Sequence, residues 1–332
     1  MTRIRASEGI QEGIYVPIGG IEQYIQIRGE DSGNPVILWL HGGPGFPLTY
    51  LTYRYQTPLE GDYTIACWEQ RGSGRTYYRN HRDGDATIEQ LLSDMDEVID
   101  YLRGRFGQEG IILIGQSWGT VLAMEYINMH PEKVSAYIGV GQVTNFRQGK
   151  IFAAENAVSI ALSGGHAEDA ALLRHGIEQL SAAQSMEQLD VQALESMIVT
   201  SQKYLLSSGG MSGMAQMMAA IASPDMTWND AKWFLFASNT TRIIASQKHL
   251  VAYMYFRFDI ENMPVPATVP ICFIQGENDW ITPTALVQDY YARIAAENTA
   301  MIMIPDAGHT PFLDDPERFC EAVRGFLAGG GG

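Results

Sequence analysis

The chain has 332 residues, 46% of them apolar and 18% charged, a composition and length that fit one large globular domain or a domain carrying an insertion. Its 38 acidic and 22 basic residues give a net charge of −16, which argues against nucleic-acid partners and anionic membrane surfaces, since both would repel it. The longest unbroken apolar run, Leu250 to Phe256, is far below the roughly 20 residues of a membrane span.

In chain order, the N-terminal MTRIRASEGIQEG carries two arginines but no apolar stretch behind them, so no signal peptide is expected and the cytoplasm is the expected location. Ile21 to Glu30 alternates apolar and polar residues and predicts a half-buried strand. Val36 to Leu40 is continuously apolar and predicts a buried central strand, as does Tyr63 to Trp68. Ile88, Leu91, Leu92, Met95, Val98, Ile99 and Leu102 share one face at helical spacing, with a capping pattern at Thr87 and Gln90. Ile111 to Ile114 predicts a strand, followed by a helix up to Pro131, and Val134 to Val140 predicts the next strand. Strands separated by helices of this length pair in parallel.

From Asn145 the chain turns rich in Ala, Met, Gln and Ser at helical spacing, until Pro264, Pro266 and Pro270 mark a boundary. A strand at Ile271 to Ile274, a helix at Pro283 to Ala296, a strand at Ala300 to Ile304 and a helix at Pro316 to Leu327 then follow. The expected organisation is an α/β catalytic domain over 1–144 and 265–328, a helical cap over 145–264, and a flexible glycine tail over 329–332. Cys67, Cys272 and Cys320 are too few and too scattered for a disulfide framework or a metal knuckle, and Cys67 and Cys272 lie in apolar runs that read as core.

The chemistry sits where strands end. Gly115-Gln116-Ser117-Trp118-Gly119 fits G-x-S-x-G between a strand and a helix, the strand–turn–helix context that exposes a nucleophilic serine. A serine needs a base, and the base needs an orienting acid. Asp279 and His309 follow the next two predicted strands, in the order Ser, Asp, His and at the same sheet edge. Asp279 is preferred over Glu277, Asp306, Asp314 and Asp315 as the acid. His41-Gly42-Gly43-Pro44-Gly45 follows the strand Val36 to Leu40, and a glycine loop there lets backbone N–H groups approach a developing oxyanion. The expected donors are the N–H groups of Gly43 and Trp118, with His41, Gly42, Pro44 and Gly45 as supporting loop. No metal or cofactor is required.

HGGPG, then WEQRGSGR from Trp68 to Arg75, then GQSWG and the Asp279 and His309 loops resemble the proline iminopeptidase branch of the α/β-hydrolases. The resemblance implies an eight-stranded, mostly parallel sheet, a helical cap and removal of N-terminal residues, notably proline, from short peptides. It assigns Ser117 as nucleophile, Asp279 as acid, His309 as base, and Glu69 and Arg71 to the supporting loops. Two departures stand out. Glu69 occupies a position where Asp is usual, and no acid lies in Leu205 to Pro224 or Ala231 to Phe258, where the family places its grip on the substrate amine. The remaining acids are Asp225 and Asp230 between these stretches, and Glu155, Glu168, Glu178 and Glu195 earlier, which read as solvated helix faces.

Met211, Met214, Met217 and Met218 at helical spacing, then Trp233, Phe234 and Phe236, are read either as cap core or as an adaptable apolar pocket over Ser117, with Met214, Met218, Trp233 and Phe236 as its lining. The expected activity is therefore a cofactor-free serine hydrolase acting on small amides or esters through an acyl-enzyme. An esterase or lactonase without aminopeptidase activity is the alternative within that chemistry. A non-catalytic ligand receptor on the same fold is the alternative outside it.

Overall fold

Two glycines at positive φ, Gly19 at 55° and Gly20 at 78°, turn the chain between β1 (Ile10–Ile18) and β2 (Ile21–Gly29). The computed structural model describes residues 3–80, 85–205, 213–265, 268–294 and 298–329. β1 has no counterpart among the predicted strands, because Gly13 and Pro17 weaken its signal; both are tolerated since β1 is an edge strand.

β2 corrects an expectation. It is not half-buried: every residue from Gln23 to Gly29 is buried. Its polar residues face partners instead of water. Gln23 accepts from the Trp68 indole at 2.8 Å, Gln26 accepts from Thr52, and Arg28 pairs with Glu60 at 2.7 Å. Period-two polarity here marks pairing inside the protein rather than a wet face.

β3 (Val36–Leu40), β4 (Thr64–Glu69), β5 (Ile111–Gln116), β6 (Val134–Val140), β7 (Ile271–Gly276) and β8 (Thr299–Ile304) complete an eight-stranded sheet of order β1-β2-β4-β3-β5-β6-β7-β8. β1–β2 and β2–β4 are antiparallel and all other pairs are parallel. The apolar runs are explained by burial on both faces. Val36, Leu38 and Leu40 join one core with α2 (Ile88–Phe106) and α3 (Trp118–Met129), while Ile37 and Trp39 join another with α12 (Pro311–Asp314) and α13 (Pro316–Leu327). All three cysteines are buried and free.

α2 begins at Thr87, whose side chain accepts from the Gln90 N–H, and ends at Gly107 in the left-handed region. α1 (Gly74–Arg79) follows β4, and α11 (Thr284–Ile294) lies within the predicted Pro283 to Ala296, whose last two residues fall outside the described set. Among the described residues, seven helices separate β6 from β7. They are α4 (Phe146–Ser163), α5 (Ala167–Ala182), α6 (Val191–Leu205), α7 (Gly213–Ile221), α8 (Trp228–Ala237), α9 (Thr240–Ser246) and α10 (Lys248–Phe256). Pro266, Met211 and the tail from Gly330 lie outside the described residues. No described helix is long and apolar enough to cross a membrane.

Candidate active site

Parallel β3 to β8 end on one edge of the sheet, so the loops that follow them converge. Ser117 stands between β5 and α3 at φ 52° and ψ −117°, a conformation that costs a non-glycine residue on the order of 1–3 kcal/mol. The surroundings hold it there. Its N–H donates to the Val140 carbonyl at 2.9 Å, and its carbonyl accepts from the Thr120 N–H and hydroxyl at 2.8 and 2.7 Å. The flanking glycines are required by space: a Cβ on Gly115 would sit 2.6 Å from the Gly119 carbonyl oxygen, and one on Gly119 would run into the Leu40 carbonyl.

Asp279 follows β7 and is buried. Oδ1 accepts from the N–H groups of Ile281 at 2.8 Å and Thr282 at 3.0 Å; Oδ2 accepts from the Thr282 hydroxyl at 2.7 Å and lies 2.9 Å from His309 Nδ1. Burial acts to raise its carboxyl, but the His309 ring and the Thr282 donors outweigh it and hold the group below the usual range. With Nδ1–H donating to Asp279, Nε2 of His309 is the ring's acceptor. Gly141, at φ 59°, brings this ring to the end of β6: a Cβ there would come within 3.0 Å of His309 Cε1. The same strand end carries the Val140 carbonyl that holds Ser117, so β6 links the serine to the Asp279–His309 pair.

The neighbouring acids have other partners. Glu277 accepts from the Asp306 N–H, Asp314 from the Gly308 N–H, and Asp315 from the Arg318 N–H at the start of α13.

The glycine loop after β3 is anchored by His41. Its Nδ1 lies 2.8 Å from the Gly42 carbonyl and its Nε2 accepts from the Gln70 N–H at 3.2 Å, which fixes the neutral tautomer. Burial lowers its pKa to about 4. Gly43 (φ 120°) and Gly45 (φ 88°) let the loop double back, so that Phe46 N–H bonds the Gly42 carbonyl, with the Gly43–Pro44 peptide cis. Trp118 is fully buried and its indole N–H donates to Gln70 at 3.1 Å.

Glu69 is fully buried, accepting from the Thr49 hydroxyl at 2.6 Å and the Arg75 N–H at 2.5 Å. Burial pushes its carboxyl up to about 7, with Arg75 opposing and Asp230 adding to the rise. Arg71 turns away from the loops: it bonds both oxygens of Asp94 and the Gly19 carbonyl. The arginine that faces the inserted helices is Arg75, whose Nε and Nη2 bond Asp230 at 2.9 and 2.6 Å. Arg75 lies in the quoted WEQRGSGR segment, but nothing in its spacing announces a partner 155 residues away.

The predicted pocket lining separates. Trp233 is buried and its indole N–H donates to the Gly45 carbonyl at 2.8 Å. Phe236 stacks on Trp233 with ring centroids 5.0 Å apart and touches Tyr77. Met218 is 57% exposed, and the Met214 side chain lies outside the described residues. A cavity of about 150 Å³ instead lies beside the glycine loop, lined by Phe46, Leu48, Tyr50, Trp233 and Phe234.

The sequence profile of the alpha/beta hydrolase family matches residues 37–322. A probable aminopeptidase of Bacillus subtilis, YbaC, is 28% identical over 306 residues, covering 92% of this chain and 93% of that protein. The proline iminopeptidase of Clostridioides difficile is 33% identical over 134 residues, 39% of this chain and 42% of its own. The crystal structure of a proline iminopeptidase-related protein of Thermus thermophilus superposes with a TM-score of 0.60 at 20% identity, covering 96% of this chain and 98% of its own. With the serine turn, the Asp279–His309 pair and the glycine loop at one sheet edge, the chain belongs to the α/β hydrolase family and is proline iminopeptidase-like.

Proposed function

We propose that the protein is a serine hydrolase that cleaves small amides or esters through an acyl-enzyme. Ser117 attacks the carbonyl carbon, His309 Nε2 takes the hydroxyl proton and passes it to the leaving group, and Asp279 holds the imidazole and stabilises the imidazolium. The N–H groups of Gly43 and Trp118 receive the oxyanion. Water then attacks the acyl-enzyme with His309 again as base, and the acid is released. The single observation that carries this reading is the 2.9 Å Asp279–His309 pair resting on Gly141, one residue from the carbonyl that holds Ser117.

Release of an N-terminal apolar residue, proline included, is the leading substrate assignment, supported by the resemblance to the Bacillus aminopeptidase and to proline iminopeptidases. Residues 145–264 act as the cap, and the cavity beside Phe46 and Tyr50 receives the apolar acyl group. One observation favours the esterase alternative: Asp230, the buried acid of the described insertion, is already engaged by Arg75 and Thr227, and Glu155, Glu168 and Glu178 are exposed. The test is a matched panel of aminoacyl arylamides, free and N-acetylated, beside short acyl p-nitrophenyl esters. Cleavage of the free prolyl arylamide but not its acetylated form establishes amine recognition. Cleavage of esters alone removes the aminopeptidase assignment. Cleavage of neither, with no fluorophosphonate labelling of Ser117, leaves the receptor reading.

A further inference from the structure

The two N–H groups assigned to the oxyanion belong to peptide units that are held in the same way. The Gly43 N–H shares its unit with the Gly42 carbonyl, and the Trp118 N–H shares its unit with the Ser117 carbonyl. In a trans peptide the N–H points opposite to the C=O, so holding the carbonyl aims the donor. The Ser117 carbonyl accepts from the Thr120 N–H and hydroxyl at 2.8 and 2.7 Å. The Gly42 carbonyl accepts from the Phe46 N–H at 3.1 Å and from His41 Nδ1–H at 2.8 Å. The His41 proton sits on Nδ1 because Nε2 accepts from the Gln70 N–H. Among the described residues neither the Gly43 N–H nor the Trp118 N–H donates a hydrogen bond, so both are open to an oxyanion.

Two well-aimed donors serve one oxyanion only if their separation is fixed as well. The two units sit on different segments, the glycine loop after β3 and the start of α3. These segments touch where a Cβ on Gly119 would run into the Leu40 carbonyl. Gln70, buried one residue past β4, supplies a second connection. Its N–H holds the His41 ring at 3.2 Å, and its Oε1 accepts from the Trp118 indole at 3.1 Å. Its Nε2 lies 3.4 Å from the His41 carbonyl. The indole is a donor only, so the amide cannot turn over without losing that bond. Gln70 is itself pinned. The Ser73 hydroxyl donates to its carbonyl at 2.6 Å, and the Thr76 hydroxyl donates to the Glu69 carbonyl at 2.6 Å. Burial, which lowers His41 to about 4, keeps its Nε2 an acceptor at neutral pH.

We infer that Gln70 is a positioning residue for the reaction: it ties the glycine loop to the start of α3 and so sets the spacing of the Gly43 and Trp118 N–H groups. It acts through the His41 ring and the Trp118 indole rather than on the substrate, and the inference rests on the serine-hydrolase reading. Nothing in its place between Glu69 and Arg71 announces the role, since both of its partners come from other segments. The spacing of the donors matters little to a planar ground-state carbonyl and most to the tetrahedral oxyanion. Loosening it therefore falls on kcat rather than on KM.

The test compares the parent, Gln70→Met, Trp118→Phe and the double variant on p-nitrophenyl butyrate or prolyl p-nitroanilide, whichever the parent cleaves faster, with active sites counted by fluorophosphonate labelling. Gln70→Met is expected to lower kcat per labelled site about ten- to a hundredfold, with KM moving less than about threefold. The Ki of 1,1,1-trifluorohexan-2-one, which forms a tetrahedral adduct with the serine, should rise in proportion to the loss in kcat/KM. A residue that merely supports the fold would reduce the number of labelled sites and leave kcat per site and this Ki in place. Trp118→Phe keeps the main-chain N–H and breaks the same contact from the other end, so it carries the test should Gln70→Met misfold. Its loss should match, and the double variant should fall no more than about twofold below the weaker single variant. Parent-like kcat and Ki in a folded single variant, or losses that multiply in the double variant, overturn the positioning role while turnover by the parent leaves the hydrolase reading standing. A parent that neither cleaves these substrates nor labels at Ser117 removes the hydrolase reading, and the role of Gln70 falls with it.

Discussion

The loops at the strand ends and the inserted helices above them are built on different principles. In the loops, several polar groups of the site take part of their fixation from near neighbours in sequence, Asp279 from Ile281 and Thr282, His41 from Gly42 and Ser117 from Thr120, with Val140, Gln70 and His309 completing it from further along the chain. The insertion reaches the loops through a few side-chain bonds that span the chain: Trp233 to Gly45, Asp230 to Arg75, Gln247 to Gly72. Local fixation yields a motif that can be read from a short window; long-range fixation does not. The proposed reaction chemistry is therefore assigned to the loops, and the proposed selectivity and loop alignment to contacts that no motif records.

The sharpest way to break this division is to strike the loops. Ser117→Ala is expected to lower kcat by about 10⁴- to 10⁶-fold, because the nucleophile and its base act as one unit. A kcat within tenfold of the parent on any substrate in the panel would place the chemistry elsewhere. Asp279→Asn keeps the Thr282 contacts but no longer favours the tautomer with Nδ1–H donated, and is expected to cost about 10⁴-fold in kcat. Fluorophosphonate labelling of Ser117 should slow with it; rapid labelling of this variant would mean that Asp279 orients nothing.

How much of this was legible follows from the same contrast. Val36–Leu40, Ile111–Gln116 and Val134–Val140 could be read because burial on both faces leaves a continuous apolar run. Ser117, Asp279 and His309 could be placed because parallel strands send the loops that follow them to one edge. β1 was masked by Gly13 and Pro17, and β2 was misread as half-wet because its glutamines and arginine find partners on β4 and the turn that precedes it. Arg71 and Arg75 sit four residues apart in one segment, yet one anchors the β1–β2 hairpin to α2 and the other reaches α8. Spacing alone cannot tell them apart, since the partner of each is supplied by the fold. Trp233 was read as cap core or pocket lining; it is buried, and the structure gives it in addition a hydrogen bond to the glycine loop.

That bond offers a smaller and more discriminating break. Trp233→Phe keeps most of the ring and removes the donor, leaving the Gly45 carbonyl unpaired at a cost of about 1–3 kcal/mol. If α8 aligns the glycine loop, kcat should fall about tenfold with KM moving less, since oxyanion contacts strengthen only in the transition state. A raised KM at unchanged kcat would make Trp233 a binding surface only. Met218→Gln, on an exposed side chain of the same insertion, is expected to change neither by more than about twofold.

The smallest effect tests the charged bridge between the two regions. Glu69, Arg75 and Asp230 form a buried cluster, in which burial first and Asp230 after it raise the Glu69 carboxyl to about 7 against the pull of Arg75. In the unfolded chain the same carboxyl titrates near about 4.3. The folded protein therefore binds this proton more tightly than the unfolded one, and the group's contribution to stability falls as pH rises from about 4.5 to 7, then levels off. Glu69→Gln preserves both contacts, its oxygen accepting from the Arg75 N–H and its amide donating to Thr49, but it cannot ionise. Urea midpoints of parent and variant should converge toward pH 5 and separate toward pH 8, the variant gaining, by about 3 kcal/mol at most. Parallel curves would mean that Arg75 keeps Glu69 ionised throughout, and the cluster would then be a permanent clasp between loop and insertion rather than one that loosens as pH rises.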